Sequence, residues 1–320
     1  MPNGVKPKRK LSIRQRLNGD GNRAGLIPQK GWARRNYQYF SGSLLPALVR
    51  KRERSPFLDR DAEFHDLEPG EMEVIWIGHA SFLVRTSEFN ALIDPVWTKW
   101  MGPIKRSREP GVPLEQIPPI DLILITHAHF DHLCRWTLKR ILQPDLEQTI
   151  LVPHGVEGLV RKLQFGQCFE LEDWDEFDYR GSKVTFTPAQ HWGARMIADM
   201  NRGFGGYSVE TGHHTLYHSG DSAYFDGFEE IGDRLDIDTA ILPIGAYDCP
   251  SGREVHMNPE EAVQAFHDLK AEQMIPMHHS TFAISNEKLC EPVRRLKDAV
   301  KTHELEGRVI VPHEGEPIIV

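Results

Sequence analysis

Apolar residues in this chain come in short runs that stop at Gly, Asp or His, and from about residue 67 these runs follow one another closely. EVIWIGHASFLVR, residues 73–85, predicts two strands joined at Gly78-His79, and Asn90 to Val96 predicts another that ends at Asp94-Pro95. Leu122 to Thr126, Thr149 to Pro153, Lys183 to Pro188, Thr239 to Ile244 and Gln273 to Pro276 are β-rich runs of buried-strand character. Gly206 to Glu210 and Thr215 to His218 form a hairpin-like pair, and Arg308 to Pro312 is expected as the closing strand. Asp131-His132 open a pattern with Leu133, Trp136, Leu138 and Ile141 at roughly helical spacing, Asp being favoured at a helix start, and helical runs recur at Val156 to Phe165 and Lys288 to Thr302. Asn258 to Leu269 carries a capping Asn, Pro at the first helical position and early glutamates, so a helix starts there. Glu170 to Asp178 is acidic and partly extended, and Thr98 to Pro119 is a proline-rich loop holding Lys99, Lys105, Arg106 and Arg108. Strands alternating with helices predict an α/β fold.

The ends of these runs share a chemistry. Strands finish at His127, His191, Asp221 and His278, and the first of them delivers His127, His129, Asp131 and His132 within six positions. His127 and His129, two apart in extended chain, project to one side. A lone buried His is usually a satisfied core residue; four ligand-type residues in six positions are better explained as a metal cluster. Imidazoles and carboxylates without a thiolate pair favour zinc, with iron or manganese as alternatives. If the strand ends converge, five histidines and two aspartates suffice for two metal ions with one bridging carboxylate. His79, at its turn, is either a turn histidine or an outer partner of the site, and the second role is favoured. The GFGG stretch at Gly203 to Gly206 lacks the strand, spacing and helix of a dinucleotide loop.

Composition bounds what such a site serves. The 320 residues, 40% hydrophobic and 26% charged, are those of an ordinary globular protein. No run of about eighteen apolar residues occurs and no apolar stretch follows the basic N-terminus, so neither a membrane span nor a secretory signal is expected; a cytoplasmic setting is. Cys134, Cys168, Cys249 and Cys290 lie far apart, against a disulfide framework or a thiolate zinc site. The net charge of −8 is unevenly spread: residues 1–55 hold fourteen Lys and Arg against Asp20 and Glu53, or +12, which leaves −20 for the rest. The organisation expected is a basic arm, residues 1–55, on an acidic body, residues 56–320. The arm mixes its cations with Trp32, Tyr37, Tyr39, Phe40 and several Leu, a pattern suited to packing on the body, to an anionic lipid surface or to nucleic acid. Packing is favoured, then peripheral membrane contact; nucleic acid is disfavoured.

Several segments together carry a family resemblance. HAHFDH, QHW, SGDS and MHHSTF resemble the metallo-β-lactamase superfamily of dinuclear metallohydrolases. GHASFL, LIDPVW, MGPIKR, PPIDLILITHAHFDHL, QHWGAR, HSGDSAY, GAYD, HMNPEEAV and PMHHSTF look like its N-acyl-phosphatidylethanolamine-hydrolysing phospholipase D branch and bacterial relatives, over roughly Val74 to Phe282. The resemblance implies an αββα four-layer sandwich. It assigns His127, His129 and His191 to one metal, Asp131, His132 and His278 to the second, and Asp221 as the bridge. His279 rivals His278, since it stands where the family pattern often has Trp. His218 is expected to line its strand. His256 resembles a pocket histidine of the branch, with a helix-entry role as the competing reading.

The chemistry implied is hydrolysis at two zinc ions about 3.5–4 Å apart, whose shared water loses its proton near neutral pH and attacks phosphorus. Asp131 and Asp221 would hold the ions, and His256 would contact the phosphate or protonate the leaving oxygen. The expected reaction takes N-acyl-phosphatidylethanolamine to an N-acylethanolamine and phosphatidic acid; other phospholipids or small phosphodiesters would suit the same centre. Hydrolysis of a sugar-phosphate lactone is the main alternative, ahead of a nuclease or a nonenzymatic metal- or nucleic-acid-binding module. An apolar groove and a way to meet the bilayer would favour the lipid, with Leu44, Leu45, Leu48, Val49, Trp97, Trp100 and Met101 as candidates. The sequence leaves the oligomeric state open.

Overall fold

A computed structural model describes residues 31–59, 62, 64–143, 145–163, 165–195, 202–250 and 254–320. One sheet has seven strands in the order β15-β1-β2-β3-β6-β7-β8: β1 (Met72–Gly78), β2 (Ser81–Thr86), β3 (Asn90–Ile93), β6 (Leu122–Leu124), β7 (Thr149–Pro153), β8 (Gln167–Leu171) and β15 (Pro317–Ile319). The other has six in the order β14-β13-β12-β11-β10-β9: β9 (Glu176–Tyr179), β10 (Ser182–Thr187), β11 (Gly206–Glu210), β12 (Thr215–His218), β13 (Thr239–Pro243) and β14 (Gln273–Met277). A small hairpin, β4 (Trp100–Met101) with β5 (Ile104–Lys105), interrupts the proline-rich loop.

Both faces of each sheet are covered, which is why so many strands read as unbroken apolar runs rather than alternating ones. Alternate residues go to opposite sides. Val74, Trp76, Phe82, Val84 and Leu124 meet Val184, Phe186, Tyr207, Leu216 and Ile275 between the sheets. Ile75, Ile77, Leu83, Ile123 and Ile150 face outward under Leu138 and Ile141 of α3 (Arg135–Ile141) and Val160 of α4 (Glu157–Val160). On the opposite side, Tyr217, Ala240, Leu242 and Met274 pack under α5 (Gly227–Arg234), α6 (Pro259–Asp268) and α7 (Glu291–Thr302). The layers run helix, sheet, sheet, helix. Burying a large side chain such as Phe82 completely contributes about 1.5–3 kcal/mol, and the three clusters hold most of the apolar runs.

The N-terminal arm enters as a helix, α1 (Trp32–Tyr39), continued through a π-turn at Phe40–Leu44 into α2 (Leu45–Val49). It rests on the body: Arg35 pairs with Asp248, and the Tyr39 hydroxyl donates to the Ala283 carbonyl at 2.9 Å. KPKRK and the rest of residues 1–30 lie outside the described residues. No helix among the described residues is long and apolar enough to cross a membrane.

Two expectations need correction. Asp131-His132 does not open a helix; α3 begins at Arg135, and Asp131-His132 stay in a turn. Arg308 to Pro312 is not the closing strand. It makes one bridge, Val309 to Met274, while the chain returns after the Glu314-Gly315 turn so that Pro317–Ile319 pairs antiparallel with β1. Glu170 to Asp178 is partly extended, as expected: Glu170-Leu171 end β8, and Glu176 to Asp178 belong to β9 in the other sheet.

Candidate metal centre

The residues that the sequence places at strand ends are brought together at one end of the sandwich. β6 runs into Thr126, whose N–H and hydroxyl donate to the two oxygens of Asp94 at 2.8 and 2.6 Å. This bond ties the end of β3 to the start of the His127–His132 loop. Asp94 also accepts from Nδ1 of His132 at 2.7 Å, which turns Nε2 of His132 towards the centre. Arg195 braces the loop from outside, donating to the carbonyls of Ala128 and Leu133 at 2.7 and 2.9 Å with its guanidinium 4.1 Å over the Phe130 ring. His191 is fixed similarly: its Nδ1 donates to the Val255 carbonyl at 2.9 Å, leaving Nε2 free of a proton when the ring is neutral.

Two four-residue groups of ligand atoms result, each within 4.8 Å: His127, His129, His191 and Asp221, and beside it His79, Asp131, His132 and His278; two three-residue sets, Asp94-His127-His132 and Asp221-His256-His278, overlap them. Asp221 lies between them. Its Oδ2 is 3.1 Å from Nε2 of His132 and His278, 3.8 Å from Nε2 of His127 and Nδ1 of His256, and 3.9 Å from Nε2 of His191. Nδ1 of His129 is 2.9 Å from Nε2 of His127 and 3.3 Å from Nε2 of His191. Ring nitrogens converging so closely cannot all be hydrogen-bonded to one another, because each pair needs one proton and one lone pair. The side-chain atoms Nε2 of His132, Nε2 of His278 and Oδ1 of Asp221 are buried without hydrogen-bond partners, an arrangement that is costly unless something binds there. The donor set, imidazole nitrogen and carboxylate oxygen, fits divalent transition metals.

The electrostatics of the two groups differ. Burial, reinforced by neighbouring imidazoles, holds His127 well below the usual histidine range, and His129 is pushed down to about 3 and His191 to about 4, burial again coming first. Burial would also lower His132 and His278, but the Asp221 carboxylate, with Asp94 for the first and Asp131 for the second, outweighs it. His132 ends well above its ordinary value and His278 is pushed up to about 9. Burial alone would raise Asp131 and Asp221, yet the surrounding histidines hold both well below the carboxylate range.

The backbone is strained here. His79, Asp94, Ala246, His278 and Ser280 all adopt positive φ, between 45° and 62°. Such conformations cost on the order of 1 kcal/mol or more each and cluster where geometry is over-determined by function. Gly78 shows why the first turn is tight: its φ is 122°, and a Cβ there would stand 2.6 Å from Nη2 of Arg106. Arg106, fully buried, donates to the carbonyls of Arg108, Val96 and Ile77 at 2.8, 2.9 and 3.2 Å.

Four further histidines have distinct places. His79 is 3.0 Å through Nε2 from Oδ2 of Asp131, an orienting contact. His279 turns away, its ring on Trp76 and its Nδ1 2.9 Å from the Ser280 hydroxyl, so it joins neither group. His218 donates from Nε2 to the Ala80 carbonyl and accepts the Gly220 N–H, as expected of a strand-lining residue. His256 faces a cavity of about 180 Å³ bounded by His129, Asp131, Asp221, Trp192, Val255 and Ile284. The sequence reading missed Asp94, although its signal was present: an apolar strand ending in Asp, the same rule that found the ligands. Arg195 and Ile284 carried no such signal.

Residues 90–279 match the family model described as the beta-lactamase superfamily domain. Among proteins similar in sequence, an uncharacterised protein of Mycobacterium tuberculosis is 30% identical over 262 residues, covering 78% of this chain and 69% of its own length. The N-acyl-phosphatidylethanolamine-hydrolyzing phospholipase D 1 of Caenorhabditis elegans is 33% identical over 251 residues, covering 72% and 70%. Among solved structures, Igni18, a metallo hydrolase from Ignicoccus hospitalis, overlays with TM-score 0.61 at 24% identity, covering 78% of this chain and 98% of that one. This last likeness speaks to the fold.

Proposed function

Because the chain belongs to the β-lactamase superfamily and is a metal-dependent hydrolase, we propose that its substrate is a phosphodiester, with N-acyl-phosphatidylethanolamine split into an N-acylethanolamine and phosphatidic acid. The observation that carries the proposal is Asp221, one carboxylate oxygen within 3.9 Å of five imidazole nitrogens at the edge of a cavity with an apolar wall. The name of the worm relative supports the choice of bond.

In this reading His127, His129 and His191 would hold one zinc ion, Asp131, His132 and His278 the other, and Asp221 would be shared between them, with iron or manganese as alternatives. When bound, two divalent cations supply Lewis acidity for a phosphoryl oxygen and a water of lowered pKa. The chain's own residues do the positioning. Asp94 and the Val255 carbonyl fix the rings of His132 and His191, while His79 steadies Asp131. Burial holds His256 well below the ordinary histidine range despite the Asp221 carboxylate nearby, so its neutral ring has an N–H to give to a phosphoryl oxygen rather than a proton to lose. That favours phosphate contact over protonation of the leaving oxygen. Trp192, Val255 and Ile284 give the lipid side of the bond an apolar surface and exclude water.

The arm, residues 1–55, completes the proposal as a peripheral contact to an anionic bilayer, the hydrolase domain being residues 56–320. Trp32, Tyr37, Phe40 and Val49 are exposed along its helix, and Trp100, Phe130 and Trp136 are exposed on the body. The test is mass spectrometry of products after incubating the zinc-loaded protein with vesicles of N-acyl-phosphatidylethanolamine. Both products are expected from the parent and neither from Asp221→Asn. Parent protein holding two metals that forms neither product would sink this substrate and turn the search to lactones and small phosphodiesters.

A further inference from the structure

One wall of the cavity beside Asp221 is made by two loops, of which Cys249 and Ile284 are the lining residues. Cys249 belongs to the loop after β13 and Ile284 to the loop after β14. The two loops are bound to each other. The backbone N–H and the side-chain amide of Asn286 both donate to the Asp248 carbonyl, at 3.1 and 3.0 Å. Glu287 accepts from the N–H groups of Ala246 and Asp248 at 2.6 and 3.3 Å, and from the Ser285 hydroxyl. Cross-linked in this way, the loops form a single piece with the cavity on its inner side.

Helix α1 holds the outer side of that piece. Within α1, Arg35, Asn36 and Tyr39 are partly buried and the other residues are exposed, a spacing of i, i+1 and i+4 that puts the three on one face. All three donate to backbone carbonyls of the wall: Arg35 to Cys249 at 3.1 Å, Asn36 to Pro250 at 3.2 Å and Tyr39 to Ala283 at 2.9 Å. Each of these carbonyls belongs to Cys249 or to a direct neighbour of Cys249 or Ile284. Arg35 also pairs with Asp248, a partly exposed ion pair of little weight on its own. The carbonyl bonds are directional and fix where the backbone of the wall lies. Burial pushes the Tyr39 hydroxyl up to about 12, so it remains a donor at any ordinary pH.

We propose that Arg35, Asn36 and Tyr39 are positioning residues for the substrate: by holding the carbonyls of Cys249, Pro250 and Ala283, they set how closely Cys249 and Ile284 approach a molecule bound beside Asp221. The arm helix is then part of the substrate site. The portion of the substrate concerned is the apolar one, which meets Ile284 together with Trp192 and Val255. None of the three arm residues belongs to the groups of metal-ligand atoms, so their loss weakens binding and leaves the chemical step in place, which raises KM and spares kcat. The inference rests on the cavity beside Asp221 being where substrate binds, as in the proposed function, and not on which bond is cleaved there.

The test uses full-length, zinc-loaded protein with Tyr39→Phe, which removes one donor and keeps the ring, and with Tyr39→Phe combined with Arg35→Ala. Gln38→Ala, at an exposed position of the same helix, is the control. The first readout is the rate at which iodoacetamide alkylates Cys249, followed by peptide mass spectrometry, with Cys168 in β8 as the internal reference. Tyr39→Phe should raise the Cys249 rate about two- to tenfold, the range for one lost hydrogen bond, and the double variant should raise it further. Cys168 and the Gln38→Ala protein should stay at parental rates. The second readout is turnover of a short-chain N-acyl-phosphatidylethanolamine below its micelle concentration, so that no lipid surface takes part. The double variant should show KM raised about fivefold or more, kcat within about twofold of the parent and both metals retained.

A Cys249 rate or a KM that stays at the parental value in the double variant overturns the proposal. So does a rise that Cys168 shares, or a fall in kcat with loss of metal, since either marks general loosening of the fold. If the parent itself leaves the lipid intact, the choice of substrate has failed, and the alkylation rates still decide whether the arm sets the wall.

Discussion

The two halves of the metal centre are built from the same residue types but differ in charge. Around His127, His129 and His191 the neighbours are mainly other imidazoles, and burial keeps the rings neutral. Around His132 and His278 stand Asp94, Asp131 and Asp221, and the same degree of burial yields rings that hold their protons, His278 to about 9. Burial alone therefore does not set the protonation of a buried histidine; the nearest carboxylate decides. Without metal, the first half offers lone pairs while the second must release protons before it can bind a cation.

The largest test of this contrast removes the group both halves share. Asp221→Asn should cut turnover on the order of a thousandfold, beyond the 10–100-fold typical of an outer partner, and leave fewer than two metals per chain by elemental analysis. Full retention of both metals would mean that Asp221 is not the bridge. Next comes Asp94→Asn, which touches only the second half through His132. Its affinity for one metal should fall about 10–100-fold while the other stays bound, as read by competition with a chromophoric chelator; equal weakening of both would erase the distinction. His256→Ala should slow turnover on the order of tenfold, the loss of one hydrogen bond to a charged group, with metal content unchanged. A loss of metal instead would make His256 a ligand.

The fourth test concerns the metal-free protein. His278 has a folded pKa of about 9, raised above its ordinary 6.5, so its contribution to stability is fully present below about pH 6.5 and is lost as pH rises through about 9. His132 shifts in the same direction. Thermal melting of the chelated protein should therefore show its midpoint falling across that interval, and zinc-loaded protein should show little of the fall. A flat profile without metal would remove the carboxylates as the cause.

Much of this arrangement was legible in the sequence, since strands buried on both faces leave unbroken apolar runs whose ends stand out. What escaped did so for physical reasons. Gly227–Arg234 is a helix, but glycines at 227 and 232 conceal it; Gly232 is required because a Cβ would meet the backbone of Asp268 and Leu269. Arg308 to Pro312 has a strand's composition but makes only a single bridge, from Val309 to Met274 of β14, while β1 takes Pro317–Ile319, which no local pattern reveals. Asp94 lay in plain view at a strand end, but its role appears only when Thr126 and His132 are seen to converge on it. The histidine pair at 278 and 279 could not be resolved by spacing. It is separated by a left-handed φ of 59° at His278 that sends the next ring onto Trp76.

The most direct test of the two-part centre is the number of zinc ions per chain, measured by elemental mass spectrometry after dialysis at about pH 8 and about pH 6. Two ions at the higher pH and one at the lower are predicted, because protons compete at His132 and His278 and not at the neutral rings of His127, His129 and His191. Loss of both ions together, or retention of both at the lower pH, would contradict the account.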